Sequence, residues 1–281
     1  MKIAIFAKTF ARPSLAATLD AVREHGLDSV QFNLSSAGLP TLPDAISAEE
    51  AAGIWREMDV HGLEMAALSG TFNMIHPDPQ QREAGLRRLR VLAGACAGLG
   101  TGIITLCTGT RDPNDMWRRH PNNDLPEARR DLIDSMAQAL EIADEAGVTL
   151  GVEPEVANVI DTAAKARRLL DEMQSPHLKI VMDAANLFRA GDLARQPAVL
   201  PEAFDLLGPD IVLAHARDLS HDGEAGHQAA GTGALDYDLY LRLLRQSDYT
   251  GPLILHSLSE AEVDPAIAFL RGKLITTDHV S

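Results

Sequence analysis

Short runs of β-branched and apolar residues alternate with longer amphipathic stretches along the whole chain, and few architectures accept that pattern. The runs are Lys2–Ala7, Asp28–Asn33, Leu63–Leu68, Gly102–Cys107, Val148–Glu153, Leu178–Asp183, Ile211–His215 and Pro252–His256. The helical stretches lie near Ser14–His25, Ala48–His61, Pro79–Leu99, Pro126–Ala146, Thr162–Met173, Pro197–Leu207, Asp236–Gln246 and Asp264–Leu274. Eight strands alternating with eight helices is the count of a (β/α)8 TIM barrel, in which each strand is paired on both sides and covered outside by a helix. A doubly wound sheet would satisfy the same alternation but leave edges. No linker or composition break divides the 281 residues, so residues 1–281 read as a single domain. Gly26, Gly62, Gly100 and Gly147 each stand between a helix and the next strand, as helix-ending glycines do. His25 and His61 fall in the last helical turns and read as structural.

The strand ends carry the chemistry. In such a barrel the active site lies at the C-terminal ends of the strands. The fifth to eighth runs end at Glu153, Asp183, His215 and His256, separated by 30, 32 and 41 residues, close to one strand–helix unit each. Singly these are a capped carboxylate, a solvated aspartate and satisfied histidines. In register on four adjacent strands they converge on one point, with two carboxylates and two imidazoles as ligands for a divalent metal ion.

Charge and composition remove other classes. A formal net charge of −15 opposes a nucleic-acid partner, which needs a cationic footprint. No apolar run reaches the length of a membrane span. The opening MKIAIFAKTFARPS reads as a first strand rather than a secretory signal, so a cytoplasmic location is expected. Cys96 and Cys107 stand in apolar contexts without metal-binding spacing, as buried free thiols do.

Over essentially its full length the chain resembles the sugar phosphate isomerase/epimerase family of xylose-isomerase-like barrels. The carrying segments are GVEPEVANVIDT (Gly151–Thr162), SPHLKIVMDAANLF (Ser175–Phe188), HARD (His215–Asp218), GTGALDY (Gly231–Tyr237) and GPLILHSLSE (Gly251–Glu260). The resemblance implies one divalent metal held by Glu153, Asp183 and His215, with Glu153 also the acid/base at a carbon beside a carbonyl. It further implies isomerisation or epimerisation of a ketose or keto-polyol, phosphorylated or not, with dehydration as the nearest alternative. A homo-oligomer is compatible with it.

The chain departs from the family pattern at three places. The eighth strand usually ends in a glutamate that is ligand and second base, and here it ends in His256. Asn186 stands where a histidine is common, and Arg217 where a lysine is. With His256 in the shell, two carboxylates and two neutral imidazoles leave a divalent ion formally neutral. This favours manganese, iron, cobalt or zinc over magnesium. His256 is then either the fourth ligand or the acid on the second face of the substrate. If it is fully committed to the metal, reactions needing one face, dehydration or 1,2-isomerisation, gain weight.

Substrate contacts are expected from Glu155, Asn186, Arg217, His76, Lys8 and Arg111, all at or after strand ends. For Glu155 loop hydrogen bonding competes with that role, and for Arg217 pairing with Asp218 or a neighbour does. Ser259 and Glu262 form a capping box at the last helix, which leaves Glu260 in its first turn. His221, Asp222, Glu224 and His227 read as a solvated loop surface. Two rivals stand beside the enzyme reading. One is a sugar-binding barrel without turnover, suggested by the missing glutamate. The other is a trinuclear-zinc endonuclease on the same barrel, opposed by the charge and by Asn33 and Ser69 at the second and third strand ends.

Overall fold

The computed structural model of the protein describes residues 1–278. The strands are β1 (Ile3–Phe6), β2 (Ser29–Phe32), β3 (Glu64–Ser69), β4 (Ile103–Cys107), β5 (Thr149–Glu153), β6 (Leu178–Asp183), β7 (Ile211–Asp218), β8 (Gln228–Ala229) and β9 (Leu253–Leu255). The helices are α1 (Leu15–Glu24), α2 (Ala48–Val60), α3 (Pro79–Leu99), α4 (Pro126–Ala146), α5 (Ala163–Met173), α6 (Gln196–Leu207), α7 (Tyr237–Gln246) and α8 (Val263–Asp278). Strands β1 to β7 pair in sequence, β7 pairs β9, and β9 returns to β1, all parallel. The sheet is therefore closed, as the alternation required.

Strand side chains alternate between two surroundings because successive residues point to opposite faces. Ile5, Val30, Leu150, Val152, Ile180 and Ala214 pack outward into the main core under the helices. Ala4, Phe6, Val181, Leu213 and Ile254 fill a small inner cluster within the barrel. Gly151 belongs to the inward set, where a β-carbon would lie 2.8 Å from Val181 Cγ2, so the interior at that layer has room only for glycine.

The expected helix-ending glycines are in place. Gly100 and Gly147 have φ of 76° and 66°, the left-handed conformation in which glycine carries no Cβ penalty. Two boundaries differ from the sequence pattern by more than one residue. Strand β7 runs on past His215 to Asp218, because Arg217 and Asp218 pair antiparallel with Ala229 and Gln228 of β8. Helix α8 begins at Val263 and continues to Asp278, past the Leu274 at which the apolar pattern stops.

The long segment after β4 is ordered by its own side chains. Asn123 Oδ1 accepts from Thr110 Oγ1 and the Arg111 amide, and Asn123 Nδ2 donates to Ala157 O. Buried Asp161 draws in Arg119, Lys165 and Arg189, at 2.9, 2.8 and 2.5 Å. Three loops at the C-terminal end of the barrel are thereby tied to one carboxylate.

Candidate metal centre and active site

The inward phase of the strands delivers the site. Glu153 and Asp183 occupy inward positions at the C-terminal ends of β5 and β6, His215 lies inward on β7 three residues before its end, and one ligand atom from each lies within 4.8 Å of the others. His215 donates from Nε2 to Gln31 Oε1 at 2.8 Å, and Gln31 Nε2 donates to Thr105 Oγ1 at 3.1 Å. The Nδ1 atom of His215 is buried and has no hydrogen-bond partner. It stands 3.5 Å from Glu153 Oε1 and 3.5 Å from Asp183 Oδ2.

That arrangement calls for a cation. A lone pair and two carboxylate oxygens converging out of water repel one another unless positive charge lies among them. Burial opposes a charged imidazole at His215, yet the Glu153 and Asp183 carboxylates outweigh it and push its pKa up to about 9. A proton or a metal ion meets the same demand, and the His-plus-two-carboxylate donor set with an outer hydrogen bond on the other ring nitrogen suits a divalent metal.

Arg217 answers part of that charge from inside the protein. It sits on β7 two residues after His215, hence in the same inward phase, and is 7 % exposed. Its Nε donates to Asp183 Oδ2 at 2.5 Å and Nη2 donates to Glu153 Oε1 at 3.3 Å and Asn186 Oδ1 at 2.7 Å. Nη1 donates to Gly226 O and Ser257 Oγ at 3.0 and 3.2 Å. Every N–H of the guanidinium is thus committed within the protein. Burial raises the Asp183 carboxyl, but Arg217 and then His215 outweigh it and hold the group below the usual carboxylate range.

Asn186 completes the cage. It is fully buried, donates to Glu153 Oε1 at 2.6 Å and accepts from Arg217 and from the Gly226 amide at 2.9 Å. Glu153 Oε1 is therefore saturated, while Oε2 has only the Cys107 thiol at 4.0 Å. The two oxygens of one carboxylate are left with different tasks.

His256 lies directly after β9 but outside the compact ligand group. Its ring centroid is 5.3 Å from that of His215 and 5.0 Å, edge-on, from that of Phe6, and its Nδ1 is 2.7 Å from Ser257 Oγ. Burial, followed by the charges of Arg217 and His215, lowers its pKa well below the usual imidazole range. Ser257 holds φ at 55°, a left-handed backbone that costs a non-glycine residue about 1–2 kcal/mol.

Of the residues expected to touch substrate, Lys8 is exposed. Its ammonium stands 4.5 Å over the Phe6 ring, and partial desolvation followed by the Arg217 charge lowers its pKa. The others are engaged in holding structure. Glu155 accepts from the Ala157 amide at 2.9 Å and from Asn158 Nδ2, and burial pushes its carboxyl up to about 7. His76 accepts from the Asp78 amide on Nδ1 and donates from Nε2 to Pro113 O. Arg111 donates to Ile75 O and pairs with Asp131 at 2.6 Å. Asp218, offered as a partner for Arg217, instead accepts from the Leu219, Gly231 and Leu235 amides.

The remaining expectations fall into place around the site. The Ser259–Glu262 capping box is present, and Glu260 pairs with Arg12. His25 pairs with Asp264 at 2.6 Å, and His61 Nδ1 donates to Glu57 O. His221, Glu224 and His227 form a second, exposed group, in which His227 Nε2 already accepts from the Ser220 amide at 3.2 Å. Gln31 was not singled out by sequence reading. Its signal was phase, since it shares the inward set of β2 with Asn33.

Residues 19–273 match the xylose isomerase-like TIM barrel family. The chain is 25% identical over 268 residues to a ketose 3-epimerase of Arthrobacter globiformis, covering 91% of this chain and 81% of that protein. A solved D-tagatose 3-epimerase-like protein superposes with TM-score 0.78 at 15% identity, covering 99% of each chain. The solved IolI protein with a bound zinc atom superposes with TM-score 0.73 at 15% identity, covering 99% of this chain and 98% of that one. No helix among the described residues is long and apolar enough to cross a membrane.

Proposed function

The chain belongs to the xylose isomerase-like TIM barrel family, and from that premise we propose that it is a sugar epimerase using one divalent metal ion. The reaction is inversion at the carbon next to the carbonyl of a ketose. The observation that carries the reading is the orphaned Nδ1 of buried His215, facing Glu153 and Asp183. The relative named a ketose 3-epimerase supports the substrate class, and the neighbour with zinc supports the metal.

Glu153, Asp183 and His215 would hold the metal. When bound, the ion supplies Lewis acidity to the ketose carbonyl and its neighbouring hydroxyl. Glu153 Oε2, free of strong donors, is the base that takes the proton from the adjacent carbon. Epimerisation needs a second group to return a proton to the other face, and His256, outside the ligand group, fills that role when it carries both ring protons, the neutral ring left behind being reprotonated from solvent. Lys8 at the barrel mouth is placed to bind a substrate oxygen. Arg217 and Asn186 orient Glu153 and do not bind substrate, because their polar atoms are already committed. The guanidinium beside both carboxylates makes the donor set less anionic still, which strengthens the preference for manganese, iron, cobalt or zinc over magnesium.

The test is deuterium exchange. Protein loaded with manganese or zinc is incubated in heavy water with ketopentoses and ketohexoses, free and phosphorylated, and followed by NMR. Deuterium entering beside the carbonyl, with an inverted ketose and with loss of both in Glu153→Gln, is the expected result. Metal-loaded protein that exchanges no ketose overturns the reading, and a product short of one water assigns dehydration instead.

A further inference from the structure

The loop between β7 and β8 carries a second convergence of ligand types, apart from the Glu153 group. His221, Glu224 and His227 follow one another at intervals of three residues, and one ligand atom from each lies within 4.8 Å of the others. His221 Nε2 is 3.4 Å from Glu224 Oε1, and the imidazole centroids of His221 and His227 are 4.4 Å apart. Four ligands about 2.0–2.1 Å from a zinc ion stand about 3.4 Å from one another at the corners of a tetrahedron. The His221–Glu224 spacing is already one such edge. All three side chains are exposed, so rotation can bring His227 to the third corner.

The backbone beneath these side chains is fixed by groups other than the three ligand side chains. Asp222 Oδ2 accepts from the Gly191 and Leu193 amides, each at 2.9 Å. The Gly223 amide donates to Phe188 O, the Gly226 amide to Asn186 Oδ1 and the His227 amide to Asp218 O, at 3.0, 2.9 and 3.0 Å. Gly226 packs so closely that a β-carbon there would stand 2.7 Å from Ala185 Cβ. A ligand set on a loop held this way loses only side-chain freedom when an ion binds, which lowers the entropic cost.

One of the imidazoles is already oriented. His227 Nδ1 lies 3.1 Å from Ala225 O, which can only accept, so the ring donates there and its neutral form carries the lone pair on Nε2. A bond from the second ring nitrogen to a carbonyl is one that metal-bound histidines commonly make. The Nε2 lone pair accepts from the exposed Ser220 amide at 3.2 Å, a bond that an ion displaces and that water replaces at the amide. We propose that His221, Glu224 and His227 form a second metal site, for a borderline divalent ion such as zinc, with its fourth position open to solvent. Two imidazoles and one carboxylate suit that class of ion, whereas magnesium and calcium prefer oxygen ligands. Gly226 O accepts from Arg217 Nη1 at 3.0 Å, so the loop clamped by this ion also supports the guanidinium that pairs with Glu153 and Asp183.

The experiment is calorimetric titration of the untagged full chain, stripped with chelator, with zinc chloride and separately with magnesium chloride. Its readout is a difference between variants, so it does not depend on whether the Glu153 group takes an ion or a ketose is turned over. The replaced side chains are exposed, and the bonds that anchor the loop belong to Asp222 and the backbone, so the variants keep the fold. Wild type is expected to bind one zinc equivalent more than His221→Ala/His227→Ala, and Glu224→Gln should weaken that equivalent at least about tenfold. Magnesium should not fill it. In protein labelled with 15N-histidine, the resonances of His221 and His227 should shift together as that equivalent is added. Equal zinc stoichiometry in wild type and the double variant overturns the proposal. So does an extra equivalent that Glu224→Gln does not weaken, or one that magnesium fills equally well.

Discussion

His215 Nε2 donates to Gln31 Oε1 at 2.8 Å, and that single bond decides which ring nitrogen faces Glu153 and Asp183. Gln31 is itself fixed by its bond to Thr105. A ligand imidazole held this way cannot rotate or exchange tautomers freely, and outer hydrogen bonds of this kind are worth 10–100-fold in metal affinity. Gln31→Leu should therefore weaken manganese or zinc binding by roughly that factor, in calorimetric titration of folded protein. Unchanged affinity would remove His215 from the ligand set.

Arg217 pairs with the two carboxylates that would hold the proposed metal ion, so each should compensate for loss of the other. Arg217→Met leaves Asp183 and Glu153 buried without their fixed counter-ion, a change that typically costs about 3–5 kcal/mol. The expected result is a large drop in melting temperature in chelator and a smaller one at saturating divalent metal. Equal drops in both conditions would show that the two carboxylates do not receive the ion.

Asp161 makes a pH prediction. Burial raises its carboxyl, but Lys165 and Arg189 outweigh this and hold it below the usual range. A carboxyl depressed on folding stabilises the fold fully above its unfolded value, near pH 4, and loses that contribution as pH falls through the folded value. Hydrogen-exchange protection, corrected for the intrinsic rate at each pH, should therefore be high and similar at pH 7 and pH 5 in segments 109–125 and 184–195. Asp161→Asn should speed exchange at pH 7, by releasing Arg119 and Arg189 together. Exchange confined to one segment would show that the loops are not tied through this residue.

Much of this site was legible along the chain, and the part that was not has a definite cause. Glu153, Asp183 and His215 could be read because strand ends recur at nearly constant spacing and converge by the geometry of a closed barrel. Arg217 and Gln31 follow from the same period of two, since each shares the inward phase of its strand, but a polar residue inside a strand does not declare its partner. The partner comes from another strand, 184 residues away in the case of Gln31 and His215. Glu155, His76 and Arg111 stood at strand ends with the right chemistry for substrate. Their bonds to Ala157, Pro113 and Asp131 depend on loop paths that no periodicity encodes.

The two cysteines test whether the barrel interior is as closed as its packing implies. Burial alone pushes the Cys96 thiol up to about 12. Burial, followed by the charges of Glu153 and Glu155, raises Cys107 well above the ordinary thiol range. The thiolate is the reactive form, so both should resist a thiol reagent at pH 8 in native protein and react together on unfolding. Cys107 is the more informative of the two, because its Sγ is 4.0 Å from Glu153 Oε2. A site open to solvent would relax that shift. Native labelling at Cys107 ahead of Cys96, read by mass spectrometry, would mean that the barrel opens at its C-terminal end. Equal protection of both thiols would mean that the packing beneath the C-terminal mouth stays closed in the native protein.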